Sequence, residues 1–210
     1  MAWLLGLGLP IVGAGFLFYV GKRTRSFVRY QVITLFGALV ISAIALATSP
    51  NASIYRLGDL GAPAHNIIGA SYGAFTLIAF AVTTLVVYLQ VVRGKKVSRS
   101  AIATSLVWAL PLSAMNALTE ELIFRASIMQ SIIHVAGPSL VFLLSAALFG
   151  IPHYFGNPGK IPGVLMAGFL GYIAAQSIFD TGGIGWAWAM HFVQDVPIIT
   201  MLLLTGTKKL

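Results

Sequence analysis

Long runs of apolar residues fill most of the chain, and short polar or basic stretches separate them. Most runs approach the roughly 20 residues that a helix needs to cross the hydrocarbon core of a bilayer. The predicted spans lie at 2–20, 31–49, 67–92, 101–134, 139–153, 162–179 and 184–204. The pattern therefore predicts an all-α, polytopic transmembrane helix bundle of seven spans, forming a single integral membrane domain over residues 1–210.

The run at 101–134 is longer than one span requires, because a helix of that length would measure roughly 50 Å at about 1.5 Å per residue. Pro111 lies inside it and could kink it. Alternatively, the helix projects into the cytoplasm, or the run divides into two elements, which would make eight spans.

Composition supports a membrane protein and excludes a soluble one. Hydrophobic residues make up 58% of the chain and charged residues only 9%, whereas a soluble domain has about a quarter charged residues. The net charge of +8 does not indicate a nucleic-acid partner, because the basic residues form short clusters between spans rather than a continuous stripe. The expected partner is the lipid bilayer.

The basic residues also predict the orientation. They cluster at 22–29, 93–99, Lys160 and 208–209, and alternation of the spans places all of these on one side. Excess Lys and Arg mark cytoplasmic loops. Only Arg56 falls on the other side, and Arg125 lies within the membrane. We expect a multi-pass protein of the cell or plasma membrane, with its basic loops and C-terminus in the cytoplasm.

The stretch ALTEELIFRAS, residues 117–127, places three charged residues inside an apolar run. A charge at the bilayer centre costs about 2.5–3.5 kcal/mol on insertion scales, so such residues need a partner or a task. Glu121 and Arg125 are four apart and share a helix face. Glu120 is rotated by about 100° from Glu121. The spacing therefore predicts an ion pair for Glu121 and a cavity-facing position for Glu120.

Two later spans carry further polar residues. Phe149 precedes His153 by four positions, and His191 precedes Asp195 by four. Helical rise places Glu120 and His153 roughly 20 Å from the outer ends of their helices, Asp195 roughly 17 Å and His191 about 10 Å. Most of these groups can therefore converge within the membrane. Two carboxylates and two imidazoles in one cavity are the parts of a water-activating hydrolase.

Three motifs occur in order on the late spans: Glu120-Glu121-Leu-Ile-Phe-Arg125, Phe149-Gly-Ile-Pro-His153 and His191-Phe-Val-Gln-Asp195. In this order they resemble the CAAX protease and bacteriocin-processing family, the Abi or CPBP group, which includes the type II CAAX prenyl endopeptidases. The resemblance covers about 115–196, within a catalytic half at about 101–204.

The resemblance implies intramembrane hydrolysis of a peptide bond in a peptide, a lipidated peptide or a membrane protein. Glu120 and His153 would polarise the attacking water, with Glu120 as general base. His191 and Asp195 would stabilise the oxyanion, and Glu121, Arg125 and Phe149 would support the site.

The last motif position departs from the prenyl-protease branch, which has Asn there. Asp195 donates a hydrogen bond only if it is protonated, whereas an ionised Asp195 would orient a protonated His191. We favour the second arrangement, and the departure argues against a CAAX peptide as the substrate.

Other interpretations stay open. Glu120, His153 and His191 could hold zinc, although the chain lacks H-E-x-x-H and we expect no cofactor. Ser71 lies in a G-x-S-x-G sequence that resembles the rhomboid motif and could pair with His191. The same charged residues could serve a proton- or ion-coupled transporter, or be retained in a scaffold or immunity protein without catalysis.

Overall fold

The computed structural model describes residues 23–48, 55–64, 71–127 and 136–206, together with isolated positions between 8 and 21 and at 129, 132 and 133. Within these residues, six helices are long and apolar enough to cross a membrane. They are α1 (Phe27–Thr48), α2 (Tyr72–Val87), α3 (Arg99–Glu121), α4 (Pro138–Gly150), α5 (Lys160–Thr181) and α6 (Gly185–Leu204). Three of these α-helices continue directly into another type of helix. A π-helical turn follows α2 at Tyr88–Val92 and α3 at Leu122–Ser127, and a 3₁₀ turn follows α4 at Ile151–Phe155.

The predicted all-α membrane bundle is confirmed, and the exact number of spans stays a prediction. Six of the predicted spans correspond to α1–α6, while the span at 2–20 lies largely outside the described residues. The long run at 101–134 contains one continuous helical segment, Arg99–Ser127, and Pro111 lies inside α3 without ending it. Most of residues 128–135 lie outside the described part of the chain.

Local sequence signals explain where the helices begin and end. The hydroxyls of Ser71 and Ser98 accept N–H bonds from the first turns of α2 and α3, which satisfies donors that have no partner within the helix. Pro138 occupies the first turn of α4, where its missing N–H costs nothing. Gly182 ends α5 with a left-handed φ of 72°, a conformation that favours glycine.

The short connections at 93–98, 156–159 and 182–184 make the helices that they join antiparallel, and they define two ends of the bundle. At one end, Asp59 N–H donates to Thr181 O at 2.8 Å and Ile184 N–H to Arg56 O at 2.8 Å, which joins the loop at 55–64 to the α5–α6 turn. The opposite end contains the connections at 93–98 and 156–159, with the basic residues Arg93, Lys95, Lys96, Arg99 and Lys160. We call this the basic end.

Helices α5 and α6 form the interior of the bundle. In the most apolar 18-residue stretch of each helix, 56% of α5 and 50% of α6 is buried, compared with 22–28% in the four other spans. Large apolar side chains such as Phe36, Leu77 and Val107 remain exposed on the outer helices. Because lipid is as apolar as these side chains, an exposed apolar face is the expected surface of a membrane-spanning helix.

Glycines bring α4 and α5 close together, beside the residues of the site. A Cβ on Gly150 would lie 2.8 Å from Val164 O, and a Cβ on Gly171 would lie 3.0 Å from Ser145 O. Small residues at such contacts let the backbones of membrane helices approach. Since Phe149 and His153 adjoin Gly150, this contact fixes the position of the second motif.

Candidate active site

Three carboxylates surround one imidazole in the interior of the bundle, where α3 and α6 pack together. His191 Nε2 lies 3.7 Å from Glu120 Oε2 and 3.6 Å from Asp195 Oδ2. His191 Nδ1 lies 2.8 Å from Glu121 Oε1 and donates its hydrogen to that oxygen. The difference in depth that helical rise gave for His191 and Glu120 therefore does not separate them, because rise along the axes ignores helix tilt and the reach of both side chains.

The two neighbouring glutamates face different surroundings, as their spacing predicts. The Glu121 side chain is fully buried and its Oε1 lies 3.1 Å from Arg125 Nη1. The Glu120 side chain keeps 15% of its surface exposed and lines an open cavity. Glu121 therefore joins Arg125 to His191 through one oxygen, and Glu120 is the carboxylate that a molecule in the cavity can reach.

Arg125 is enclosed by aromatic and acidic groups. Its Cζ lies 4.1 Å from the centroid of the Phe149 ring, a distance at which a cation is attracted to the aromatic face. Its guanidinium nitrogens make no hydrogen bond to the described residues. The Glu121 carboxylate and the Phe149 ring are therefore what stabilises this buried charge.

His153 presents one ring nitrogen to its own helix and the other away from it. Its Nδ1 donates to Phe149 O at 2.7 Å, so in the neutral ring Nε2 is the nitrogen that can accept a hydrogen bond. The side chain lines the same cavity as Glu120 and Asp195. His153 thus lies where it can bind a water beside two carboxylates.

Two spaces that share His153, Asn157 and Asp195 in their linings give access to these groups. The larger cavity has a volume of about 360 Å³ and extends from Glu120 and Asp195 to Phe27, Asn157 and Leu202 at the basic end. A small pocket of about 30 Å³ is lined by His153, His191 and Asp195 among others. A single water needs about 10–15 Å³ of such space. The site therefore has room for a hydrolytic water and an opening at the basic end.

The residues proposed as zinc ligands do not form a ligand set. Among the described residues, no group of three or more His, Cys, Asp or Glu side chains has a metal-binding arrangement. His191 Nδ1 is engaged by Glu121, and Nε2 is shared between two carboxylates at 3.6–3.7 Å. These residues therefore do not fit a zinc site as they stand, and the expectation of a reaction without a cofactor stays a prediction.

Ser71 has a structural task at the start of α2. Its hydroxyl accepts the N–H of Ala74 at 3.2 Å as the helix cap. The His191 nitrogens face Glu121, Glu120 and Asp195 instead. The geometry does not support a serine–histidine dyad.

A comparison with protein families agrees with the motifs. A family model described as "Type II CAAX prenyl endopeptidase Rce1-like" matches residues 101–197, just under half of the chain. The resemblance to the type II CAAX prenyl endopeptidases is confirmed over this segment. Residues 101–197 are similar to this family, and we refer to them as the Rce1-like segment. Searches of curated proteins and of solved structures each give no match.

The Rce1-like segment contains all seven predicted site residues and omits α1 and α2. The catalytic roles of those seven residues stay predictions. Glu120, Glu121, His191 and Asp195 are joined by direct contacts, Arg125 and Phe149 support them, and His153 joins them through the cavity.

Sequence reasoning misses three residues of the site. Asn116 donates to both Glu120 and Asp195, Gln31 donates to Asn116, and Tyr30 lines the cavity from α1. Asn116 lies four residues before Glu120 and so shares its helix face, a signal that was present in the sequence. Gln31 and Tyr30 have no such relation to the motifs, because only the packing of α1 on α3 brings them close.

Proposed function

We propose that this protein is an intramembrane endopeptidase that hydrolyses a peptide bond with a water activated by Glu120 and His153. The observation that carries the proposal is that Glu120, His153 and Asp195 line one cavity, while His191 lies within 3.7 Å of both carboxylates. The family match to an endopeptidase adds support.

The proposed chemistry needs only side chains of this chain. Glu120 takes a proton from a water held by His153 Nε2, and the water oxygen bonds to the carbonyl carbon of the substrate. His191 stabilises the resulting oxyanion, and its own charge is balanced by Glu121 and Asp195. When the carbon–nitrogen bond breaks, Glu120 returns the proton to the leaving amine.

Asp195 acts in this proposal as an ionised acceptor. It accepts the Asn116 N–H at 2.9 Å and lies 3.6 Å from His191 Nε2. Both contacts suit a carboxylate, which accepts hydrogen bonds without donating. This agrees with the arrangement favoured from the sequence, in which Asp195 orients a protonated His191.

The proposed substrate is a peptide carrying an apolar or lipidated portion. A largely apolar cavity of about 410 Å³ lies between α2, α5 and α6 and shares Thr83, Met166 and Gln194 with the small pocket beside the histidines. An apolar group of the substrate can be held there while its peptide bond reaches the site. The cavity of about 360 Å³ beside Glu120 opens at the basic end, which supports entry of the peptide from the cytoplasm.

The test is cleavage of fluorogenic peptides, with and without a thioether-linked isoprenyl chain, by the protein in lipid nanodiscs. The wild type is expected to cleave members of the lipidated set, and Glu120→Gln to lose about 10²–10⁴-fold in rate, the range for general acid–base catalysis. Ser71→Ala and a metal chelator should leave the rate unchanged. Equal cleavage by wild type and Glu120→Gln would refute the mechanism, and loss of activity in chelator would require a metal.

A further inference from the structure

A chain of two side-chain amides connects α1 to the carboxylates of the site. Gln31 Nε2 donates to Asn116 Oδ1 at 3.0 Å. Asn116 Nδ2 in turn donates to Glu120 Oε1 at 3.1 Å and to Asp195 Oδ2 at 2.9 Å. These hydrogen bonds thus connect α1, α3 and α6, and both hydrogens of the Asn116 amide nitrogen are directed at the two carboxylates.

The direction of the Asn116 amide decides whether it attracts or repels these carboxylates. Turned by 180°, it would place Oδ1 against Glu120 and Asp195, and no hydrogen bond forms between two acceptors. Gln31 is fully buried and its donation to Oδ1 favours the observed direction. A buried amide without such a partner would carry the cost of an unsatisfied group.

The same amide sets the geometry of Glu120. With Oε1 held by Asn116, the other oxygen, Oε2, is the one that faces His191 Nε2 at 3.7 Å. Asp195 Oδ2 is likewise shared between Asn116 Nδ2 and His191 Nε2. Two like charges are therefore held side by side between one amide and one imidazole, in the arrangement that the proposed chemistry uses.

We propose that Gln31 and Asn116 form a positioning relay, in which Gln31 orients the Asn116 amide and Asn116 holds Glu120 and Asp195 in place for cleavage. The relay rests on the proposed function. Gln31 lies outside the segment that matches the endopeptidase family, so the relay makes α1 a part of the active site. Gln31 acts through Asn116, and Asn116 acts through the two carboxylates that it holds.

The kinetic test compares Gln31→Met and Asn116→Leu with wild type in nanodiscs, using the fluorogenic peptides and correcting for folded protein. Gln31→Met is expected to lower kcat about 10-fold, since one hydrogen bond is lost. Asn116→Leu should lower it about 100-fold, since two bonds to charged groups are lost. KM should stay within about twofold in both, because positioning of the carboxylates affects the reaction rather than substrate binding.

Two buried polar residues provide matched controls. Gln176→Met makes the same chemical change at a buried position on α5, and Ser113→Ala changes a buried residue one turn before Asn116. Both should keep the wild-type kcat. If Gln176→Met lowers kcat as much as Gln31→Met does, the effect is general to buried glutamines and the relay is refuted.

A second measurement tests the contact without any catalysis. In a double-mutant cycle of thermal unfolding, Gln31→Met and Asn116→Leu should together cost less than the sum of their separate effects, because each already breaks the same bond. Strict additivity would refute the contact and therefore the relay.

The outcomes separate the relay from the proposed function. A Gln31→Met protein with wild-type kcat, beside a Glu120→Gln protein without activity, would overturn the relay and leave the protease. If Glu120→Gln cleaves as well as wild type, the protease mechanism and the relay fail together.

Discussion

Phe149 links the supporting residues to both histidines. Its ring lies under the Arg125 guanidinium at 4.1 Å, and its centroid lies 4.7 Å from that of His153 and 5.3 Å from that of His191. Its carbonyl also accepts the His153 Nδ1 hydrogen. One residue therefore balances a buried cation and fixes the tautomer of a candidate catalytic histidine, which gives the Phe-x-x-x-His spacing a physical reason.

Arg125→Ala should both destabilise and inactivate the protein. It leaves the Glu121 carboxylate buried without its cation, and breaking a buried ion pair costs about 3–5 kcal/mol. The measurement is denaturant unfolding in detergent together with peptide cleavage. Arg99→Ala, which removes an exposed arginine at the basic end, should change the unfolding free energy by less than about 0.5 kcal/mol. An Arg125→Ala protein as stable as Arg99→Ala would contradict the pairing.

Spacing within one helix predicts contacts that spacing between helices cannot. The i,i+4 pairs Glu121–Arg125 and His191–Asp195 follow from helical periodicity and are present. The contacts of His191 with Glu121 and of Asn116 with Asp195 join different helices. They depend on how α3 and α6 are rotated against each other, and that rotation cannot be inferred from the spacing of residues in the sequence.

At the scale of the elements, the close approach of α4 to α5 positions the second motif. A Cβ on Gly150 meets backbone atoms at 2.8–3.0 Å, whereas a Cβ on Gly168 meets none nearer than 3.3 Å. Backbone atoms cannot move away from an added Cβ as the end of a flexible side chain can. The two glycines therefore differ in how strictly the contact requires them, although both lie in the same interface.

Gly150→Ala should lower the thermal unfolding midpoint more than Gly168→Ala does, and it should reduce cleavage by moving Phe149 and His153. Overpacking of this kind costs about 1–3 kcal/mol. Thermal unfolding in detergent measures the first effect and peptide cleavage the second. Equal midpoints for the two variants would contradict this, because α4 and α5 would then accommodate the added methyl group on Gly150 without loss of stability.

Apolar runs predicted the helices well, because a chain in lipid must satisfy its backbone hydrogen bonds internally. The extension of α3 as a π-helical turn at Leu122–Ser127 was not predicted. It depends on bonds such as Ser127 Oγ to Leu122 O at 2.9 Å and Ser42 Oγ to the same carbonyl at 3.1 Å. The second bond comes from α1, so the local sequence alone does not specify the turn.

At the scale of the whole molecule, the charge distribution and the cavity agree. The cavity of about 360 Å³ beside Glu120 ends at Phe27, Asn157 and Leu202. The basic connections lie at the same end of the bundle. If the excess of basic residues marks the cytoplasmic side, a cytoplasmic peptide has a direct path to Glu120. The orientation itself stays a prediction.

Single cysteines test the orientation without background, because the natural chain has no cysteine. Lys96→Cys at the basic end and Leu57→Cys at the opposite end are both exposed positions. In right-side-out vesicles, a membrane-impermeant maleimide should label Leu57→Cys and leave Lys96→Cys unlabelled until the membrane is opened. The reverse pattern would place the cavity opening outside the cell.

The decisive measurement compares Glu120→Gln with Glu121→Gln, because these two adjacent carboxylates are proposed to have different tasks. Cleavage rate and unfolding midpoint are measured on both proteins in the same lipid. Glu120→Gln is expected to lose cleavage at an unchanged midpoint, since Glu120 faces the cavity. Glu121→Gln is expected to lower the midpoint as well, since it weakens the contacts with Arg125 and His191. Full cleavage by Glu120→Gln, or equal loss of stability in both variants, would contradict the account.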